Sequence, residues 1–147
     1  MRLVLQRVSE ASVSVDGAVV GRIGSGYLIL LCVMKGDTSL QAQWLAEKIC
    51  KLRLYDGPNG KVNDRSILDS KGEMLVVSQF TLAGDVAKGS RPDYTAAAGP
   101  EEAKILYEYF MKKLRELGAG KVEAGVFGAE MSVQLTNDGP VTLVIEK

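Results

Sequence analysis

The 147-residue chain contains no histidine. That removes a Ser-His-Asp triad, a Cys-His pair and imidazole metal ligands together. Catalysis would have to rest on carboxylates, hydroxyls, backbone dipoles or groups brought by a substrate. Two segments place such groups suggestively. In Ser78-Gln79-Phe80-Thr81-Leu82 an apolar strand runs into polar residues at its C-terminal end, where open α/β sheets tend to hold ligands. A strand end with satisfied hydroxyls is the simpler alternative. In Asn137-Asp138-Gly139-Pro140-Val141-Thr142 a proline interrupts two strand patterns, which puts it at a bend or a sheet edge. A plain turn and a cis Gly-Pro bond both stay open, since cis costs only about 0.5–1 kcal/mol before proline.

Other candidates are weaker. Gly24-Ser25-Gly26 lacks the following Lys-Ser/Thr of a phosphate loop and reads as a turn. Asp37, Asp64, Asp69, Asp85 and Asp93 are scattered through loops without the spacing of a carboxylate pair. Lys88-Gly89-Ser90-Arg91 is a small basic loop, either solvated surface or a phosphate contact. Cys32 lies in an apolar run and Cys50 beside Ile49, neither in a CxxC pair. They read as buried, reduced thiols rather than a disulfide or zinc site.

The elements that must position these groups follow from periodicity. Residues 2–8 and 11–15 alternate as strand, and Asp16-Gly17 is a hairpin signal returning the chain through 18–23. Residues 27–34 form an almost wholly apolar strand, expected at the sheet centre. The spacing predicts a helix over 39–52, with Thr38 and Gln41 as a capping box and Leu45, Ile49 and Leu52 on one face. Residues 56–60 are a loop, 73–80 a strand and 83–98 a small-residue stretch of loop. A second helix spans 100–117, with Pro100 in its first turn, Glu101 and Glu102 behind it, and Lys112, Lys113 and Arg115 near its end. Its buried stripe is Ala103, Leu106, Phe110, Leu114 and Leu117. Strands over 121–126, 131–136 and 141–146 finish the chain. The order expected is β-β-β-α-β-α-β-β-β: one mixed α/β domain over 1–147, helices packed on a sheet.

Composition bounds the function. At 46% hydrophobic and 24% charged residues, the chain reads as a soluble globular protein with a sizeable core. Its formal net charge is zero, which weighs against a generic nucleic-acid coat protein and requires any RNA contact to be local. The longest apolar run, about eight residues, is too short to cross a bilayer. The N-terminal alternation is not that of a signal peptide. The expected location is the cytoplasm.

Taken together, the two segments resemble the signature motifs of the D-aminoacyl-tRNA deacylase family: Ser78-Gln79-Phe80-Thr81-Leu82 is similar to the first and Asn137-Asp138-Gly139-Pro140-Val141-Thr142 to the second, a Gly-cisPro motif. The likeness extends to Gln6-Arg7-Val8-Ser9-Glu10-Ala11-Ser12-Val13, to Gly36-Asp37-Thr38 and to Arg91-Pro92. One departure is Asp93-Tyr94, where the family often has Ser-Phe. The resemblance implies a three-layer α/β/β fold and a homodimer. It also implies hydrolysis of the ester of D-aminoacyl-tRNA, and to some extent of glycyl-tRNA. No residue pattern demands a cofactor or metal, and none is expected, although carboxylates could hold a metal weakly. Gly139 and Pro140 are implied to reach into the partner's pocket, their carbonyls holding the substrate amino group so that an L side chain collides with backbone. Arg7 is implied to anchor that loop. For the chemistry, Thr81 is one candidate nucleophile. The favoured route is water assisted by the terminal ribose hydroxyl of tRNA, with backbone N–H groups around Phe80 and Thr81 receiving the oxyanion and Ser78 and Gln79 positioning adenosine or water. No membrane or DNA partner is expected. A non-catalytic binding module and a nucleic-acid-binding protein are the competing readings.

Overall fold

The computed structural model describes residues 1–147. Its organising element is a strand longer than the sequence pattern suggests. Segments 2–8 and 11–15 are one continuous strand, β1 (Arg2–Val15). Its alternating faces serve two different cores. Asp16 and Gly17 take φ of 50° and 79°, as a two-residue hairpin turn requires, and return the chain as β2 (Ala18–Ile23). β2 pairs with the second half of β1, while β3 (Gly26–Cys32) pairs antiparallel with the first half. Parallel pairing then carries the sheet from β3 to β6 (Glu73–Ser78) and β7 (Val122–Ala124). The final strand, β8 (Ser132–Glu146), lies along the other side of β1.

Two expectations are corrected here. The strands expected over 131–136 and 141–146 are one strand, because β8 keeps its pairing with β1 on both sides of the Asp138–Val141 interruption through two register shifts. The strand expected over 73–80 stops at Ser78, and Phe80–Ala83 wind into a 3₁₀ turn. The element order also gains three short members, β4 (Arg53–Tyr55), β5 (Arg65–Ser66) and α2 (Ile67–Ser70).

Helix α1 spans Ser39–Lys51, with the Thr38/Gln41 capping box formed at its start. Helix α3 spans Pro100–Glu116, with proline at its first position and acidic residues in its first turn, where the dipole favours them. Both helices cover one face of the sheet. Between them Leu3, Leu5, Ile29, Met74 and Val76 from the strands meet Leu45, Ile49, Phe110 and Leu114 from the helices, all essentially without solvent contact. The opposite face has a second, smaller core of Val8, Ala11, Val13, Ile23, Leu28, Leu75 and Val77. β2 closes over it so tightly that a side chain at Gly21 would stand 2.7 Å from the Ala124 carbonyl. Helices, main sheet and curled-over strands make the three layers of a mixed α/β domain.

Candidate active site

Parallel β3 and β6 end side by side, Leu31 opposite Ser78. Beyond that end opens a cleft of about 560 Å³. Its floor is Leu31, Val77 and Ser78, and its walls include Phe80, Tyr94, Tyr107, Phe127 and Met131. The cleft is mostly apolar, with polar groups concentrated at Ser78 and Gln79. This combination suits a ligand with a flat apolar body and a few directional contacts. Tyr107 is fixed by donating its hydroxyl to Val76 O at 2.7 Å, and burial pushes that hydroxyl's pKa well up. Phe80 remains 60% exposed and meets Tyr94 edge-on, ring centroids 5.3 Å apart. A large aromatic left in water at a cleft mouth is available for stacking. The aromatic at position 94 therefore keeps a structural use although Asp93 departs from the family pattern; Asp93 itself caps Thr95 N–H at 2.7 Å.

The backbone turns sharply at Gln79. Its N–H donates to Leu31 O at 2.8 Å, so it still belongs to the sheet, while its carbonyl accepts from Leu82 N–H at 3.2 Å to close the first 3₁₀ turn. The amides of Phe80 and Thr81 precede that first donor, as at any helix start. Gln79 donates its side-chain amide to Thr81 Oγ1 at 2.5 Å, tying two of the sequence-derived residues together. Thr81 is exposed and sits beside the cleft rather than in its wall. The turn is held from behind by Arg2, whose Nη1 donates to Leu82 O at 2.6 Å and whose Nε pairs with Glu146 at 2.6 Å. Cys32 also lines the cleft. Its thiol lies 3.6 Å from Phe80 O, and burial raises its pKa, so it stays a neutral thiol.

The second segment lies elsewhere. The Gly139–Pro140 bond is cis, and Gly139 has φ of 120°, a conformation that favours glycine. The loop leaves β8 opposite Arg7 and is clamped from two sides. Asn137 donates through Nδ2 to Arg7 O at 2.9 Å and Val141 O at 3.1 Å, bridging the loop's base. Arg7 Nε faces Asp138 O at 3.3 Å and Asp138 Oδ2 at 3.1 Å, while Nη1 donates to Leu54 O. The guanidinium lies 5.7 Å from the ring centroid of Tyr55, which stacks on Tyr27 at 5.6 Å. Gly139 and Pro140 themselves stay exposed.

The two segments do not meet within one chain. Ser78 shares a row with Leu31, Leu3 and Ile145, while the Gly139–Pro140 loop lies beyond Thr142, opposite Arg7. Four residue steps along the strands and three strand spacings across separate them, which is about 20 Å. Of the seven residues singled out in the sequence, Ser78, Gln79, Phe80 and Thr81 form one cluster and Arg7, Gly139 and Pro140 another.

Several groups escaped the sequence reading. Arg2 looked like one more residue of an alternating strand. Tyr107 lies on the apolar stripe of α3 and is indistinguishable by spacing from core. Asp37, seen only as a loop acid, is buried, holding the Met1 ammonium at 2.5 Å and Met34 N–H at 2.6 Å. No three carboxylates or thiols converge as metal ligands, and no helix is long and apolar enough to cross a membrane.

Comparison with known proteins decides the family. A family profile described as D-Tyr-tRNA(Tyr) deacylase matches residues 4–146. The chain belongs to the D-Tyr-tRNA(Tyr) deacylase family. The proteins named D-aminoacyl-tRNA deacylase of Geotalea uraniireducens and Bacillus velezensis are 56% and 53% identical to it, over 99% of this chain and 93% and 98% of theirs. Among solved structures, one named c-Myc DNA Unwinding Element Binding Protein superposes with a TM-score of 0.94 at 39% identity, covering 100% of this chain and 99% of that one. Another, described as a probable eukaryotic D-amino acid tRNA deacylase, has a TM-score of 0.80 at 18% identity over 98% and 97%, and speaks for the fold. The family resemblance seen in the Ser78–Leu82 and Asn137–Thr142 segments therefore holds across nearly the whole chain, and the protein is an enzyme of the hydrolase class.

Proposed function

We propose that this deacylase-family protein hydrolyses the ester of D-aminoacyl-tRNA, and glycyl-tRNA more slowly, in the cytoplasm as a homodimer, the whole chain acting as one domain. The observation that carries the reading is the Gln79–Thr81 turn, which presents two amides free of the turn's own hydrogen bonds at the mouth of a cleft with stacking aromatics. An ester carbonyl placed there would have donors for its oxyanion, and the terminal adenosine would have Phe80 and the apolar walls to lie against. Ser78 and Gln79 then position the adenosine or a water. The nucleophile is water, assisted by the terminal ribose hydroxyl. Thr81 lacks a base, its only side-chain partner being the Gln79 amide.

The second chain supplies what one chain lacks. Because the Gly139–Pro140 loop is about 20 Å from Ser78, a site using both segments needs a loop from a partner copy. The clamp formed by Arg7 and Asn137 suits a wedge that must not yield: its carbonyls hold the amino group, and an L side chain meets main chain that no rotamer change can move aside. Hydrolysis of D-tyrosyl-tRNA and L-tyrosyl-tRNA tests the proposal. Release from the D ester alone is expected, and release from neither, with the protein folded and dimeric, would refute it. In Thr81→Ala the single-turnover rate on the D ester should be retained; a loss of more than about a thousandfold would restore the covalent route.

A second reading takes its support from the name of the 39%-identical protein of known structure: binding of a DNA element. A net charge of zero argues against it. Tight, steeply salt-dependent binding to duplex DNA would favour it.

A further inference from the structure

Between α1 and β6 the chain makes three short elements, β4, β5 and α2, and they set one aromatic ring against Arg7. Arg7 and Tyr27 stand opposite each other where β1 pairs with β3. Tyr27 is fully buried, and the Arg7 side chain is only 14% exposed although it carries a charge. Tyr55, the last residue of β4, meets both. Its ring stacks on Tyr27 with centroids 5.6 Å and planes 19° apart, and the guanidinium carbon of Arg7 lies 5.7 Å from its centroid. A guanidinium held near an aromatic ring and away from bulk water gains more from the contact than an exposed one does. The same guanidinium lies against the Gly139–Pro140 loop: a Cβ added at Gly139 would stand 2.7 Å from Arg7 Nη2. A single side chain therefore connects Tyr55 to Gly139.

Tyr55 is itself fixed. Its carbonyl accepts from Asp64 N–H at 2.9 Å, and β4 pairs with β5, Arg53 opposite Ser66 and Tyr55 opposite Arg65. Ser66 in turn forms the capping box of α2 with Asp69. At the far end of the ring, a Cβ added at Gly72 would stand 3.1 Å from the Tyr55 hydroxyl oxygen and 2.8 Å from Ile67 Cγ1, so the missing side chain at 72 is what makes room for the ring. Arg7 Nη1 donates to the carbonyl of Leu54, the neighbouring residue, and β4 thus grips the guanidinium through a carbonyl and a ring together. We infer that Tyr55 is a positioning residue for the discrimination of D from L esters: its ring and the Leu54 carbonyl fix Arg7, and Arg7 fixes Gly139. In this role Tyr55 acts through Arg7 and needs no contact with substrate. The inference rests on the deacylase reading for the identity of the substrate, and goes beyond it in giving residues 53–72 a use.

Two variants of the full chain separate the ring from its bulk. In Tyr55→Leu the ratio of kcat/KM for D-tyrosyl-tRNA to that for L-tyrosyl-tRNA should fall about tenfold, the size of a partly desolvated cation–aromatic contact. Tyr55→Phe keeps the ring and should keep the ratio. A ring that served only to stabilise the fold would lower the melting temperature and leave the ratio alone. An unchanged ratio in folded Tyr55→Leu would therefore overturn the inference. So would an equal loss in Tyr55→Phe, since the hydroxyl rather than the ring would then be at work. If the leucine variant does not fold, Tyr55→Met, whose flexible chain fills more of the space, takes its place with the same expectations. Backbone order parameters at Asp138, Gly139 and Val141 give a readout that needs no catalysis. They should stay near the rigid value of about 0.85 in the wild type and in Tyr55→Phe, and drop toward about 0.6 in Tyr55→Leu while β1 keeps its own. A wild type that cleaves neither ester would sink the deacylase reading. The drop in loop order would then still uphold Tyr55 as the residue that positions Gly139, and the absence of a drop would overturn that too.

Discussion

Arg7→Lys isolates the clamp on the Gly139–Pro140 loop. The substitution keeps the charge and most of the stem but replaces a planar fork by a single point. In the wild type, Nη1 donates to Leu54 O while Nε faces the Asp138 carbonyl and carboxylate, and the plane lies near Tyr55. An ammonium reaches one side of that arrangement, not both. Losing one charge-assisted hydrogen bond at a side chain only 14% exposed costs roughly 1.5–3 kcal/mol; Asp138 is half exposed and rehydrates, which favours the lower part of the range. About 2 kcal/mol corresponds to a fall in Tm of roughly 6–8 °C for a chain of about 150 residues. The effect on chemistry should be larger than the effect on folding. A displacement of the loop of about 1 Å can cost about a hundredfold in rate, and a loosened wedge should also admit the L ester. The assay pairs a thermal melt with kcat/KM on D- and L-tyrosyl-tRNA. A melt within about 1 °C of wild type together with an unchanged D-to-L ratio would refute the clamp.

Three further outcomes follow from burial. Asp37→Ala leaves the Met1 ammonium and Met34 N–H without their acceptor; breaking a buried pair costs about 3–5 kcal/mol, so chemical denaturation should show a loss of that order, while less than about 1 kcal/mol would mean that water replaces the carboxylate. Burial pushes the Cys50 thiol up to about 11 and the Tyr55 hydroxyl up to about 12. Groups whose pKa is raised in the folded chain contribute stability that is complete below their unfolded values, near 9 and 10, and is lost as the pH climbs through the folded ones. The melting temperature should therefore decline from about pH 9 to 12, and Cys50 should resist thiol reagents at about pH 8 until the protein unfolds; rapid labelling of the native chain would contradict its burial.

Local signals in the sequence translated well where a single physical cause dominates. The Thr38/Gln41 capping box places the start of α1, Pro100 the start of α3, and Asp16-Gly17 the first hairpin. What failed depended on distant partners. Asn137-Asp138-Gly139-Pro140 looks like the end of a strand because its pattern breaks, yet β1 runs past the break and pairs on both sides of it. Residues 53–70 carry short strands and a one-turn helix whose pairing is too brief to leave a period. The chemistry of the site divided the same way. Ser78–Thr81 stand out because polar groups follow a buried strand, whereas Arg2, Tyr107 and Asp37 owe their roles to contacts with Leu82, Val76 and Met1, and no spacing in the sequence announces such contacts.

The outer side of β8 bears on solubility. The strand is fifteen residues long and pairs with β1 alone, leaving a row of backbone donors and acceptors that another extended chain could zip onto. Pro140 removes one donor near the middle of that row, and the bulge at Asp138–Val141 throws the two halves out of step. An incoming strand can match one half or the other but cannot run the full length in register. The interruption that carries the exposed Gly139 and Pro140 thus also breaks a long adhesive edge into two short ones, so that association through it stays limited rather than growing into fibres.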